Sequence, residues 1–332
     1  MDRPENPGPM RSSPDPRGRM SYKYIINAPP YHEDSGGTIA LHRLCDLINQ
    51  SGGEAYLYPL VPSFDLHLYN AAQIGLYTKA IYEAANISNY RINSDFKTPV
   101  LPPTENFVPG NDCIAVYPEV TFGNPLRARN VVRWLLHDPG HHTGKVYYGA
   151  REIYYRYADC FAVDFQFPGS EMADLLLRIQ YTPFDLYLER PEERRQDRTG
   201  TAYCMRKGKG RSIVHDTADS ILIDGKSHRE IAAIFKSVKR FISYDTHTYF
   251  SYLAAIAGCE SVVVPLENVT KEQWNPVAED RYGLAYGFDD IEFALSTRQL
   301  ALEYQRSLDR DSQRNVEGFM HDVEARLRSR SS

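Results

Sequence analysis

Residues 241–265, FISYDTHTYFSYLAAIAGCESVVVP, decide the fold. Phe241 to Tyr244 is a short strand-like run, Asp245 to Thr248 a polar loop, and Tyr249 to Ala257 a nearly all-apolar segment of helical length stopped by Gly258. Ser261 to Pro265 then forms a continuous apolar run, the pattern of a strand buried on both faces in a parallel sheet. Strand, loop, helix, strand is the repeating unit of a doubly wound α/β fold. The helix N-terminus follows a strand, where unpaired N–H groups and the helix dipole favour an anion. Tyr244, Asp245, Thr246 and Thr248 are therefore candidate phosphate-facing residues. The plainer alternative is that Asp245 or Thr246 only caps a structural helix.

Outward toward the N-terminus the same pattern continues. Thr201 to Met205 is a strand candidate that runs into Arg206-Lys207-Gly208-Lys209-Gly210-Arg211. Cations interleaved with glycines supply counter-charge and close backbone approach for a diphosphate, which makes Arg206, Lys207 and Lys209 candidates. A solvated basic turn is the alternative, and no GxxxxGK[ST] phosphate loop occurs here. Ser220 to Asp224 is a short strand, and Ser227 with Glu230 stands at capping-box spacing. Ile231, Ile234, Phe235 and Val238 supply one apolar helical face. Residues 189–201, ERPEERRQDRTGT, read as a linker or exposed loop.

The first half opens with a strand, Tyr22 to Ala28, the loop PYHEDSGG and a helix from Thr38 to about Gln50. Leu41, Leu44, Cys45 and Ile48 fall on one helical face, and Glu54 to Leu60 is the next strand. Gly36 and Gly37 at this βα turn permit close approach to a ligand, and His32 and Asp34 are acid/base candidates on the same loop. Asp34 or Ser35 equally suits a helix cap. Residues 62–110 hold helix-compatible pieces at 71–85 and several prolines. Cys113 to Tyr117 is a strand with Glu119 just past its carboxyl end. NVVRWLLHDPG then ends at a Pro-Gly stop. The run His137-Asp138-Pro139-Gly140-His141-His142 is metal-rich in composition, but HExxH spacing is missing and Pro-Gly imposes a turn, so no metal is expected. The DxD at Asp309-Arg310-Asp311 lies in a charged C-terminal stretch unsuited to a catalytic metal, and Val316, Phe319, Met320, Val323 and Leu327 mark a C-terminal helix.

Composition narrows the function classes. The chain has 332 residues, 42% hydrophobic and 24% charged, with a formal net charge of -5, which argues against a nucleic-acid binder with a broad basic surface. The five cysteines are widely spaced with no CxxC, the pattern of reduced buried thiols in a cytosolic protein. No apolar run reaches bilayer length and no apolar signal core opens the chain. Residues 1–20 are Pro-, Arg- and Ser-rich and read as a disordered tail, with Met20 an alternative start.

Three stretches carry a family resemblance: NAPPYHEDSGGTIALHRLCDLINQSGGEAYLYP; RKGKG with SHREIAAIFKSVKRFISYDTHTYFSYLAAIAGCESVVVP; and YGLAYGFDDIEFA. The chain resembles GT-B glycosyltransferases, especially those of bacterial surface-polysaccharide pathways, some of them rhamnosyltransferase-like. The resemblance implies an α/β fold of two Rossmann-like lobes facing each other across a cleft. An acceptor-side lobe would span 21–195, a nucleotide-sugar-binding lobe 196–305, and a C-terminal helix 306–332 would pack back on the first lobe. It implies metal-independent transfer of a sugar from a nucleoside diphosphate sugar to an acceptor hydroxyl on a glycan or lipid-linked acceptor, without a cofactor. The setting it implies is cytoplasmic, with peripheral association at the inner face of the membrane allowed. Gly36 and Gly37 match the glycine loop facing the donor phosphates. Arg206, Lys207 and Lys209 match the basic group that stabilises the departing diphosphate, and Asp245, Thr246 and Thr248 the diphosphate-facing loop. Candidate catalytic bases are Asp34, Glu119 and His137. The glutamate pair that many retaining members carry eight positions apart is missing: Asn268 and Asn275 follow Glu260 and Glu267 at that distance. Stereochemistry therefore stays open, and a non-catalytic nucleotide-sugar or polysaccharide binder is the alternative function.

Overall fold

The computed structural model describes residues 22–60, 90–101, 108–159, 161, 167–188 and 198–331. The expected tail at 1–20, the helix-compatible pieces at 71–85, most of the linker at 189–201 and Cys160 lie outside the described residues. Two compact units emerge, one of residues up to Tyr181 plus those from Arg310, the other Thr182–Asp309.

The first unit holds a six-stranded sheet in the order β2-β1-β3-β4-β5-β6, parallel at every pairing. Its strands are β1 (Lys23–Ala28), β2 (Glu54–Pro59), β3 (Cys113–Pro118), β4 (Asn130–Leu135), β5 (Ile153–Arg156) and β6 (Glu171–Leu176). Every residue of β1 and β3 is buried, as expected of central parallel strands covered on both faces. Tyr24, Ile26 and Ala28 point into one core with the apolar face of α1 (Gly36–Gln50), while Ile25 joins Ala115 and Tyr117 on the other side. Leu41, Leu44, Cys45 and Ile48 are all buried, at roughly 1.5–3 kcal/mol for each large aliphatic side chain.

The second unit repeats the winding on a smaller scale. Its parallel sheet runs β11-β10-β9-β7-β8, with β7 (Thr199–Cys204), β8 (Ser220–Leu222), β9 (Val238–Ser243), β10 (Glu260–Val263) and β11 (Leu284–Tyr286). Helices α2 (Phe184–Tyr187), α3 (His228–Ser237) and α4 (Phe250–Ile256) contribute Tyr187, Ile231, Phe235, Leu253 and Ala254 to its main core. The capping box forms as its spacing predicts: Glu230 N–H donates to Ser227 Oγ, and Glu230 Oε2 accepts from Ser227 N–H. Val238 belongs to β9, so the periodic face of α3 ends one residue earlier than the pattern suggests. Short helices α5 (Lys271–Trp274) and α6 (Ile291–Ser296) flank β11 in sequence.

The division falls at Tyr181 rather than near 195, because Tyr187 is fully buried in the second core. The long α7 (Arg298–Ser331) starts earlier than the apolar face at its C-terminal end predicts. Its residues from Arg310 belong to the first unit, where Val316, Phe319, Val323 and Leu327 enter the core and Tyr155 Oη donates to Asp322 Oδ2 at 2.6 Å. The chain thus holds two Rossmann-like α/β units, as the resemblance implies. Cys45, Cys113, Cys204 and Cys259 are free and buried. Among the described residues no helix is long and apolar enough to cross a membrane.

Candidate active site

In each sheet the first strand is flanked by the second on one side and the third on the other. That is the switch point where open α/β sheets form a crevice at the carboxyl ends. The switch point lies at the β1/β3 loops in the first unit and at the β7/β9 loops in the second.

In the first unit Gly36 and Gly37 are not a loop but the first two residues of α1, with Ser35 as the N-cap. Ser35 makes no side-chain cap and the first turn has no acidic residue. Thr38 fastens the preceding loop instead: its hydroxyl lies 2.9 Å from His32 O and 3.0 Å from Ser35 O, and His32 N–H donates back to it at 3.3 Å. The first N–H groups of α1 thus have no protein partner among the described residues, which is an anion-receptive end. A Cβ built on Gly36 would meet nothing within 4 Å, and one on Gly37 would lie 3.8 Å from Leu136 Cδ1.

Leu136 links this helix end to Glu119. Its N–H donates to Glu119 Oε2 at 3.1 Å, while Tyr148 Oη donates to Glu119 O at 2.8 Å. Burial raises the Glu119 carboxyl above its ordinary value, and the Leu136 N–H and the nearby Arg133 charge offset only part of that. Arg133 builds the floor beneath. It is fully buried, forms a two-pronged pair with Glu152 at 2.9 and 2.8 Å, and donates to Thr121 O at 2.6 Å and Gly123 O at 2.7 Å. Its guanidinium sits over the Tyr117 and Tyr148 rings, 5.0 and 4.3 Å from their centroids. The loop carrying Glu119 is therefore rigidly tied to β4. His137 follows Leu136 directly, half-buried, with Nδ1 accepting Asp138 N–H at 2.7 Å. Asp34 is exposed on the loop before α1.

The second unit uses its glycines differently. A Cβ on Gly208 would fall 2.2 Å from Tyr244 O, so this residue is glycine because the end of β9 passes against it. The close approach expected of a ligand at Gly208 is occupied by the protein's own backbone. Arg206 has φ +40°, a left-handed conformation costing about 1–2 kcal/mol outside glycine. Asp224 holds it there, its carboxylate accepting from Met205 N–H at 3.1 Å and Arg206 N–H at 2.8 Å. The Arg206 guanidinium lies over the Phe250 ring at 5.0 Å. Arg211 is fully committed to structure, donating to Tyr244 O, Val264 O and Pro265 O at 2.7, 3.1 and 2.5 Å. Lys207 and Lys209 are exposed and carry no ion pair or hydrogen bond among the described residues.

The turn after β9 departs from the expected helix cap. α4 has only seven residues and Tyr249 is its N-cap, so neither Asp245 nor Thr246 occupies that position. Asp245 is buried and its Oδ1 accepts His247 N–H at 3.2 Å, while Thr246 O accepts from Trp274 Nε1 at 2.9 Å. Thr248 Oγ1 accepts from Phe250 N–H at 3.4 Å. A carboxylate accepts hydrogen bonds and does not donate them to phosphate, so Asp245 shapes the turn. Tyr244 Oη lies 2.7 Å from His215 Nδ1 and accepts Val214 N–H at 2.8 Å, anchoring the chain beyond the basic turn. Glu260, at the amino end of β10, pairs with Arg240 at 2.7 Å and lies at the opposite end of the sheet from these loops.

The structure thus gathers Gly36, Gly37, Glu119 and His137 in the first unit, and Arg206, Lys207, Lys209, Tyr244, Asp245, Thr246 and Thr248 in the second. No family model and no curated protein matches the chain. Among solved structures it is similar to MurG of Acinetobacter baumannii, with 8% identity and a TM-score of 0.32 over 92% of this chain and 99% of that one. It is also similar to the glycosyltransferase SnogD from Streptomyces nogalater, with 9% identity and a TM-score of 0.39 over 91% of this chain and 99% of that one. Likenesses this loose say nothing of chemistry.

Sequence reasoning did not single out Asp224, Arg133 or Glu152 as parts of the site. Asp224 had a usable signal, an acidic residue at a strand's carboxyl end beside a basic turn. Arg133 and Glu152 had none, because nothing in the chain between them announces that they pair.

Proposed function

We propose that the protein is a glycosyltransferase that moves a sugar from a nucleoside diphosphate sugar to an acceptor hydroxyl, in surface-polysaccharide or glycan synthesis. The observation that carries this reading is the basic turn at the β7/β9 switch point. Asp224 and Gly208 fix its backbone while Lys207 and Lys209 remain unpaired among the described residues. Unneutralised cations on a rigid turn are suited to the negative charge that develops on a departing diphosphate. Arg206 adds a third cation, and Thr246 and Thr248 lie on the neighbouring turn.

The first unit supplies the acceptor side. Glu119 is the best of the three base candidates, since burial raises its proton affinity while Leu136 N–H and the Arg133 frame fix its position. Gly36 and Gly37 offer N–H groups to an anionic oxygen. Direct transfer then breaks the bond from the anomeric carbon to the diphosphate oxygen as the acceptor oxygen bonds to that carbon. The acceptor proton passes to Glu119 and the electron pair leaves with the diphosphate. This is the inverting version, and it needs no metal; the substrate is the only phosphate carrier.

Calorimetric titration with UDP, GDP and dTDP tests the donor half. The expected result is binding of at least one nucleotide, weakened about 10–100-fold in the Lys207→Ala/Lys209→Ala variant, at about 1.5–3 kcal/mol for charge-assisted contacts. Equal affinity in both proteins removes the turn from the site.

A further inference from the structure

The turn after β4 holds three side chains that the proposed transfer does not use. His137, His141 and His142 lie together, one ligating nitrogen from each falling within 4.8 Å of the others. The local sequence puts them there. Pro139 and Gly140 occupy the centre of a tight turn, with Gly140 at φ +83° and His141 N–H donating to Asp138 O at 3.1 Å. That turn folds His141 back over His137, ring centroids 4.1 Å apart and planes 22° apart. His142 meets His137 at 5.0 Å and His141 at 4.8 Å. Gly144 N–H donates to Gly140 O at 2.7 Å, and the ring of Phe161 stacks on His137 at 5.4 Å, so the loop is held in shape.

We propose that this three-histidine turn binds a divalent transition metal, with Zn2+ as the fitting ion. Imidazole nitrogens suit zinc, and three of them leave a fourth position for water or an anion. Zinc–nitrogen bonds of about 2.0–2.1 Å place tetrahedral ligands about 3.4 Å apart. Because His141 and His142 are exposed, small side-chain rotations close the remaining gap. Proton placement also works. An imidazole that gives one nitrogen to a metal keeps its proton on the other, so coordination through His137 Nε2 puts the proton on Nδ1. The Asp138 carboxylate, with Oδ2 4.0 Å from that nitrogen, then replaces Asp138 N–H as its partner. A carboxylate behind a ligating histidine orients the ring and raises its basicity. The Pro-Gly turn that argued against a metal in the sequence is what assembles the ligands.

The test is titration of the full chain, stripped of metal and carrying no affinity tag, with Zn2+ by calorimetry and Co2+ by visible absorption. One Zn2+ per chain and a Co2+ band bleached by Zn2+ are expected. His141→Asn/His142→Asn, which alters only exposed rings, is expected to weaken binding about 100-fold while leaving the metal-free melting temperature unchanged. Asp138→Asn is expected to weaken it about 10-fold. Absence of stoichiometric binding, or equal affinity in the double variant, overturns the site. None of these readouts involves a sugar donor, so the result is independent of the proposed transfer.

Discussion

At the β1/β3 switch point of the first unit, Gly36 faces open space at an uncapped helix end; at the β7/β9 switch point of the second, Gly208 lies under the Tyr244 carbonyl. The sheets are wound alike, but their loops divide the chemistry. The first unit keeps backbone donors and a carboxylate of raised pKa available, held by a buried arginine behind them. The second commits Asp224 and Arg211 to holding one turn and leaves Lys207 and Lys209 exposed upon it. Glycine in a βα loop therefore does not by itself mean a ligand; what a Cβ would strike decides.

The contrast breaks most sharply at Glu119. Glu119→Gln keeps an acceptor for Leu136 N–H, and the expected outcome is a turnover about 10²–10⁴-fold lower with nucleotide affinity unchanged. An unaltered transfer rate would remove the carboxylate from the first unit's role. Because the raised carboxyl must lose its proton to act, turnover is expected to fall on acidification at a pH above the ordinary glutamate value of about 4.3.

Next in size is the frame behind it. Arg133→Met leaves Glu152 buried without its partner, and a loss of about 3–5 kcal/mol in urea unfolding is expected. The glycine pair sharpens the comparison directly. Gly208→Ala forces the β9 end to move and should cost about 1–3 kcal/mol with weaker nucleotide binding, whereas Gly36→Ala should leave the melting temperature unchanged or raise it slightly. Equal effects would mean that the two loops are not built differently.

The smallest effect is on pH and stability. Burial lowers the pKa of His42, against a partial rise from the Pro29 carbonyl that its Nε2 meets at 2.9 Å. The native state then binds fewer protons than the unfolded chain, so this contribution is complete above about pH 6.5 and is lost as pH falls toward the folded value. Glu119 runs the other way, its contribution present at low pH and lost as pH rises through its raised folded value. On going from pH 7.5 to pH 5 the urea midpoint of His42→Gln should fall less, or rise more, than that of the parent protein.

The sequence by itself determined the class of fold, because α1 and α3 carry a helical period while β1, β9 and β10 are short apolar runs between loops, in an order that repeats along the chain. It also placed Glu119 and the basic turn at strand ends, since those follow apolar runs of readable length. The strand read over 261–265 runs Glu260–Val263, and the helix read over 249–257 is one residue shorter at each end, as frayed ends allow. Tertiary structure alone decided which polar groups are available. Gly208 is reserved by Tyr244, Arg211 by three carbonyls and Arg133 by Glu152, while the Pro139-Gly140 turn stacks His141 on His137. Periodicity records which way a side chain faces along its own element; the partner that occupies or spares its polar atoms comes from another strand, and only folding brings the two together.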